Sequence, residues 1–288
     1  MATMADFRYD KATWCPGCGD FSVLAALQQV CVRMGLEPED VCCVSGIGCS
    51  GKISQHFGSY GFHSLHGRSL PTAQGIKMAN QDLTVIAAGG DGDGYGIGVG
   101  HFVHACRRNV DITYIVMDNH IYGLTTGQSS PTSKKGFKTK TSPQGVAEEP
   151  IKPLELAIVS GASFVAQAFS GDLKQLQRLI EEGMKHKGFS LINVFSPCVT
   201  FNRVNTYEWF KENIVNFDEE EGYDPTNKAM ALQRIAETDS VCTGILYQEQ
   251  RPAFHEVVLG ATEQGTVKVP LEIPNDEMQA LIDQFRRA

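Results

Sequence analysis

The chain has 288 residues, 42% of them hydrophobic and 20% charged, with a formal net charge of −8. That composition belongs to a globular protein able to bury a core without staples, and its acidic balance argues against a nucleic-acid surface while leaving small anionic substrates open. No apolar run approaches the roughly 20 residues that span a bilayer, and the opening MATMADFRYDKATW shows no targeting pattern, so the cytoplasm is the expected location.

The first feature in chain order is WCPGCGD (14–20), which sets Cys15 and Cys18 in a Pro/Gly turn. No strand precedes it, so it does not fit a thioredoxin-like redox pair. FSVLAALQQVCVRMGL (21–36) has helical spacing, with Asp20 expected as its N-cap. VCCVSG (41–46) reads as a buried strand, PTAQGIKMANQ (71–81) as a helix and LTVIAAGG (83–90) as a second strand. GIGVGHFVHACRRN (96–109) is long enough for a crossover helix before the strand ITYIVMDN (112–119). Segment 120–150 is long for a loop, a length usually reserved for function or disorder. A helix near 153–160, a strand at 163–168, an amphipathic helix at 172–187 and a strand at 189–198 complete the pattern.

Continuous apolar strands alternating with helices predict an α/β fold with a doubly wound, mainly parallel sheet. Residues 1–199 are expected to form the cofactor-binding domain. Residues 200–288, with an acidic turn-rich stretch, mixed strands and a final helix NDEMQALIDQFRRA, are expected as an extension packing on that domain or on a partner.

GGDGDGYGIGVG (89–100) lies between a strand and a helix, where a phosphate-binding turn belongs. No register supplies the three glycines of the dinucleotide fingerprint. GIGCSGKIS (46–54) approaches a P-loop, but Ile53 stands where the Mg²⁺-binding hydroxyl is required. A third arrangement fits better. Mg²⁺ on a diphosphate needs a carboxylate, an amide oxygen and a carbonyl at adjacent strand ends. Asp91 follows one predicted strand, Asn119 the next, and Ile121 can offer the carbonyl. GDG followed after a helix and strand by Asn resembles the thiamine diphosphate motif, although Asp118 stands where that family often has a first Asn.

There are nine cysteines, and an odd number in a chain of this size with no targeting pattern argues against a disulfide framework. Cys31, Cys42, Cys43, Cys106 and Cys242 suit a core. Cys49 follows the predicted strand 41–45 and Cys198 the apolar stretch 189–195, so both should share the carboxyl edge of the sheet with Asp91 and Asn119. With Cys15 and Cys18 they make four thiolates, enough for a [4Fe–4S] cluster. Zinc on the same thiolates stays open.

The stretches WCPGCGD, SGIGCSGK, LHGRSLPTAQGIKMAN, GGDGDGYGIG, MDNHIYGLTTGQSSPTS and SPCVTFN together resemble the β subunit of 2-oxoacid:ferredoxin oxidoreductases, most closely those acting on 2-oxoglutarate. The resemblance implies that Cys15, Cys18, Cys49 and Cys198 hold one [4Fe–4S] cluster, and that Asp91, Asn119 and the Ile121 carbonyl bind Mg²⁺. Ile47, Gly48, Cys49, Ser50, His66, Gly92, Asp93, Gly123 and Leu124 would contact thiamine diphosphate. It implies reversible, CoA-dependent oxidative decarboxylation of a 2-oxoacid, with electrons leaving through the cluster to a ferredoxin. Lys52 is a candidate for the substrate carboxylate, His66 and Arg68 for cofactor orientation or proton transfer, and Leu124 and Thr126 for shaping the pocket. Only one doubly wound unit is present, so an α subunit should supply the pyrimidine-binding half, in a dimer of heterodimers. No further CxxCxxC run exists to carry clusters of the chain's own. A non-redox thiamine decarboxylase or synthase, and a non-catalytic electron-transfer subunit, remain as alternatives.

Overall fold

A computed structural model describes residues 1–258, 266–268 and 272–286. Helix α1 (Asp20–Arg33) leads to β1 (Val41–Ser45), the short α2 (Ile53–His56) and β2 (Tyr60–His63). Next come α3 (Ser69–Ala79), β3 (Thr84–Gly90), α4 (Val99–Arg108) and β4 (Ile112–Asp118). The long loop opens with a small hairpin, β5 (Ile121–Tyr122) and β6 (Gln128–Ser129), before α5 (Pro153–Val159), β7 (Phe164–Phe169), α6 (Leu173–Lys185) and β8 (Phe189–Phe195). The C-terminal part adds α7 (Tyr207–Asn213), β9 (Val215–Asn216), α8 (Lys228–Glu237), β10 (Cys242–Gln248), α9 (Phe254–Val257) and α10 (Asn275–Arg286).

Eight strands form one sheet in the order β2-β1-β3-β4-β8-β7-β10-β9. All neighbours pair in parallel except β10, which runs antiparallel to β7. The doubly wound α/β fold expected from the sequence is the observed one. β4 and β8 are buried along their whole length, as strands covered by helices on both faces must be. Alternate residues serve opposite layers: Ile112, Tyr114 and Val116 pack with Phe102, whereas Ile115 and Met117 pack with Leu27 and Ile180. Among the described residues no helix is long and apolar enough to cross a membrane.

Three local expectations need correction. Asp20 does not cap α1; Gly19 holds that position, and the buried Asp20 carboxylate instead accepts a 2.6 Å hydrogen bond from Ser196 Oγ. The strand expected to 198 ends at Phe195, which frees Ser196 to Cys198 to turn across the sheet edge. The sequence pattern also missed β2, because its four residues YGFH are all exposed and lack an apolar run. Between β3 and α4 the chain makes a wide helical turn over Gly92–Ile97, so the regular helix starts later than its composition suggests.

Candidate active site

Parallel pairing of β1, β3, β4 and β8 brings the loops that follow them to one edge of the sheet. That edge carries a cleft lined by Ile47, Gly48, Cys49, Ser50, His66, Gly92, Asp93, Gly123 and Leu124, with Asp91, Asn119 and Ile121 beside them. Every residue expected to contact the cofactor or its metal thus stands in one cleft, together with Tyr122 and Thr125.

Asp93 organises one wall. Its buried Oδ1 accepts hydrogen bonds from Ile47 N–H (2.9 Å), Gly67 N–H (2.7 Å) and His66 Nδ1 (2.7 Å). Two loops distant in sequence are thereby tied to the turn after β3, and Nδ1 of His66 is engaged by Asp93 while Nε2 has no partner among the described residues. The approach is close: a Cβ on Gly46 would lie 1.9 Å from Asp93 Oδ2. Gly92 is equally constrained. A Cβ there would fall 2.1 Å from the Tyr122 ring, whose hydroxyl donates to Gly92 O at 3.1 Å.

Asp91 is buried, and Thr132 Oγ1 lies 2.7 Å from its Oδ2 and 2.9 Å from Asp118 Oδ1. A hydroxyl carries one proton, so it can donate to only one of these carboxylates. Burial first, and then the neighbouring Asp118, push the Asp91 carboxyl up to about 7. Two buried carboxylates sharing one hydroxyl, with only the His120 ring nearby (Nδ1 3.6 Å from Asp118 Oδ1), are an environment that a hard divalent ion relieves, and their oxygen donors suit Mg²⁺. Asn119 Oδ1 accepts from Ile121 N–H at 3.0 Å, and His120 adopts φ +57°. This turn brings the amide and the Ile121 backbone to the same side as Asp91. It is held from behind by His120, whose Nδ1 donates to Thr132 O (3.0 Å), and by Asn202 Nδ2 donating to Asn119 O (3.0 Å).

The cysteine-bearing segments are fastened to one another beside this cleft. A Cβ on Gly123 would lie 3.5 Å from Cys198 Sγ and 3.7 Å from Cys49 Sγ, so both sulfurs flank one point of the cleft wall. Trp14 Nε1 donates to Cys49 O at 2.6 Å, and Gly19 N–H to Pro197 O at 3.4 Å. The CPGC turn is therefore anchored to both other cysteine loops. Burial and the Asp20 carboxylate raise the Cys49 thiol to about 11 and push Cys18 higher still. Coordinating thiolates there require a positive centre to hold them ionised. Among the described residues no three His, Cys, Asp or Glu side chains converge as ligands of a single ion.

Lys52 and Arg68 stand outside the cleft lining. Lys52 is half-buried beside Cys49 and makes no ion pair among the described residues. The Arg68 guanidinium donates to the carbonyls of His66, Gly67 and Ile97, which holds the His66 loop. Thr126 lies just beyond the cleft, lining a neighbouring groove with φ +76°.

Residues 41–194 match the family described as "Thiamine pyrophosphate enzyme, C-terminal TPP binding domain", and residues 198–263 match the C-terminal region of the pyruvate ferredoxin oxidoreductase beta subunit family. The 2-oxoacid:ferredoxin oxidoreductase subunit beta of Saccharolobus solfataricus is 46% identical over 266 residues, covering 88% of this chain and 87% of that one. The chain belongs to the β subunits of 2-oxoacid:ferredoxin oxidoreductases. The 2-oxoglutarate synthase subunit KorB of Archaeoglobus fulgidus is 40% identical, covering 85% of this chain and 88% of its own. Among solved structures, the 2-oxoglutarate:ferredoxin oxidoreductase from Magnetococcus marinus, with 2-oxoglutarate, coenzyme A and succinyl-CoA bound, superposes with a TM-score of 0.87. It is 36% identical, and the match covers 97% of this chain and 96% of that one.

Three residues of this β subunit's site escaped the sequence reading. Thr132 joins Asp91 to Asp118, Tyr122 closes on Gly92, and Trp14 fastens the CPGC turn. Each acts through a partner remote in sequence, so spacing held no signal for it.

Proposed function

We propose that this β subunit binds thiamine diphosphate, Mg²⁺ and one [4Fe–4S] cluster and, with an α subunit, performs CoA-acylating oxidative decarboxylation of a 2-oxoacid. The reaction reduces a ferredoxin and is reversible in principle. 2-Oxoglutarate is the first candidate substrate, because relatives of this chain carry its name. We further propose a dimer of heterodimers working in the cytoplasm, with residues 1–199 as the cofactor-binding unit and 200–288 as an extension packed on it. The observation that supports the reading is a shared wall. Cys49 and Gly123 line the cleft, and Gly123 also lies against the sulfurs of Cys49 and Cys198.

Bound thiamine diphosphate would supply the carbanion chemistry that cleaves the bond between carboxylate and carbonyl carbon. Asp91, Asn119 and the Ile121 carbonyl would hold Mg²⁺ and, through it, the diphosphate. Ile47, Gly48, Ser50, Gly92, Gly123 and Leu124 would surround the cofactor, while Asp93 fixes the loops that carry Ile47 and His66. His66, with Nδ1 engaged by Asp93, would present Nε2 as an acceptor at the cleft. Lys52 would meet the substrate carboxylate as a fixed cation, and Arg68 would hold His66 in place. Cys15, Cys18, Cys49 and Cys198 would ligate the cluster at the edge of the same cleft.

The assembled α/β enzyme should reduce methyl viologen when given 2-oxoglutarate and CoA, with activity falling sharply when CoA is withheld. Release of CO₂ without CoA and without viologen reduction would instead identify a non-redox thiamine decarboxylase.

A further inference from the structure

Charge is unevenly spread along this acidic chain. Residues 119–147 and 196–207 contain no Asp or Glu, yet they carry Lys134, Lys135, Lys138, Lys140 and Arg203. Lys134 pairs with Asp239 and Lys135 with Glu149. Lys138, Lys140 and Arg203 are exposed and make no ion pair among the described residues. An unpaired basic rim on a protein of net charge −8 favours an acidic partner, because summed surface charge steers encounter.

The rim lies beside the cysteine segments. Lys138 and Lys140 share a groove with Thr126, Gly127 and Phe201, and Phe201 is three residues past Cys198. A Cβ on Gly127 would meet the Phe201 ring at 3.3 Å. Along the same segment, Val199 Cγ1 lies 3.7 Å from the Cβ position of Gly17, in the CPGC turn. That turn is open to solvent at Cys15, Pro16 and Gly17. Residues 199–201 therefore link the basic groove, which Phe201 lines, to the exposed CPGC turn, against which Val199 packs, and Val204 adds an exposed apolar side chain.

We propose that this rim, formed by Lys138, Lys140, Arg203 and the exposed CPGC turn, is the docking surface for an acidic ferredoxin; the inference rests on the cluster assignment above. Each encounter moves one electron from the reduced cluster to the oxidised cluster of the carrier, with no bond made or broken. Two encounters complete the two-electron oxidation of one substrate. Electron transfer weakens steeply with distance, so the carrier must sit over the thiolates, and electron-transfer encounters use small, transient interfaces. A small basic rim with a little apolar surface suits that kind of contact.

The test is the double charge reversal Lys138→Glu/Lys140→Glu in the assembled α/β enzyme, assayed with an acidic ferredoxin and, separately, with methyl viologen. The ferredoxin KM should rise on the order of tenfold at low ionic strength, with its salt dependence flattened. The viologen rate and the KM for CoA should stay unchanged. Lys138→Gln/Lys140→Gln should give a smaller rise in the same direction. An unchanged ferredoxin KM would overturn the proposal. So would a raised KM for CoA, which would make the rim a phosphate site, or loss of the α subunit on purification, which would make it a subunit interface. If the unmodified enzyme reduces no viologen, the cluster reading itself fails, and that result is separate from the docking result.

Discussion

Asp91→Asn should lower the affinity for thiamine diphosphate in the presence of Mg²⁺ by about 100-fold or more, with activity of the assembled enzyme lost in parallel. The substitution keeps the shape and one acceptor but removes the charge that a divalent cation needs. It should also alter the pH dependence of the cofactor-free protein in a definite direction. The folded Asp91 carboxyl sits at about 7, above its ordinary value of 3.8. Between those values the unfolded chain loses its proton while the folded chain keeps it. Stability should therefore fall as pH rises from about 4 to about 7 and level off above, because the folded state binds more protons over that window. Asp91→Asn should remove this slope, and urea titrations at pH 4.5 and 7.5 read it directly. A slope that survives in the variant would contradict the assignment of that penalty to Asp91.

The second large effect is structural and reaches the cleft through backbone. Asp93→Ala removes the acceptor for two main-chain N–H groups and one imidazole N–H. Leaving buried donors unmatched around a lost carboxylate should cost about 3–5 kcal/mol. The Ile47 and His66 loops would separate from the turn after β3, so cofactor affinity should drop along with the denaturation midpoint. Asp93→Asn keeps an oxygen at the same place and should lose less of both. Equal stability in Asp93→Ala and the unmodified chain would show that the three hydrogen bonds do not organise the wall.

Most of the sheet was legible because β1, β3, β4, β7 and β8 are largely buried and read as predominantly apolar runs. β2 was not, since an exposed edge strand has no such run to display. Asp20 was misread for a related reason: an acidic residue before a helix looks like a cap, whereas here a tertiary contact to Ser196 claims it. The residues of the cleft were legible as a set because parallel topology sends the loop after every central strand to the same edge, whatever the contacts there. Their individual partners were not. The Asp91–Thr132–Asp118 arrangement joins the end of β3, the end of β4 and the long loop, and no spacing rule connects those three. Lys52 shows the same limit from the other side, since a lysine three residues from a cleft cysteine need not line the cleft.

The measurement that tests the account most directly is iron, acid-labile sulfide and zinc content of anaerobically purified protein, with an EPR spectrum after dithionite reduction. The account predicts about four iron and four sulfide per β chain, a reduced-cluster signal, and loss of both in Cys49→Ala and Cys198→Ala. Stoichiometric zinc, or iron retained in full by both variants, would contradict it.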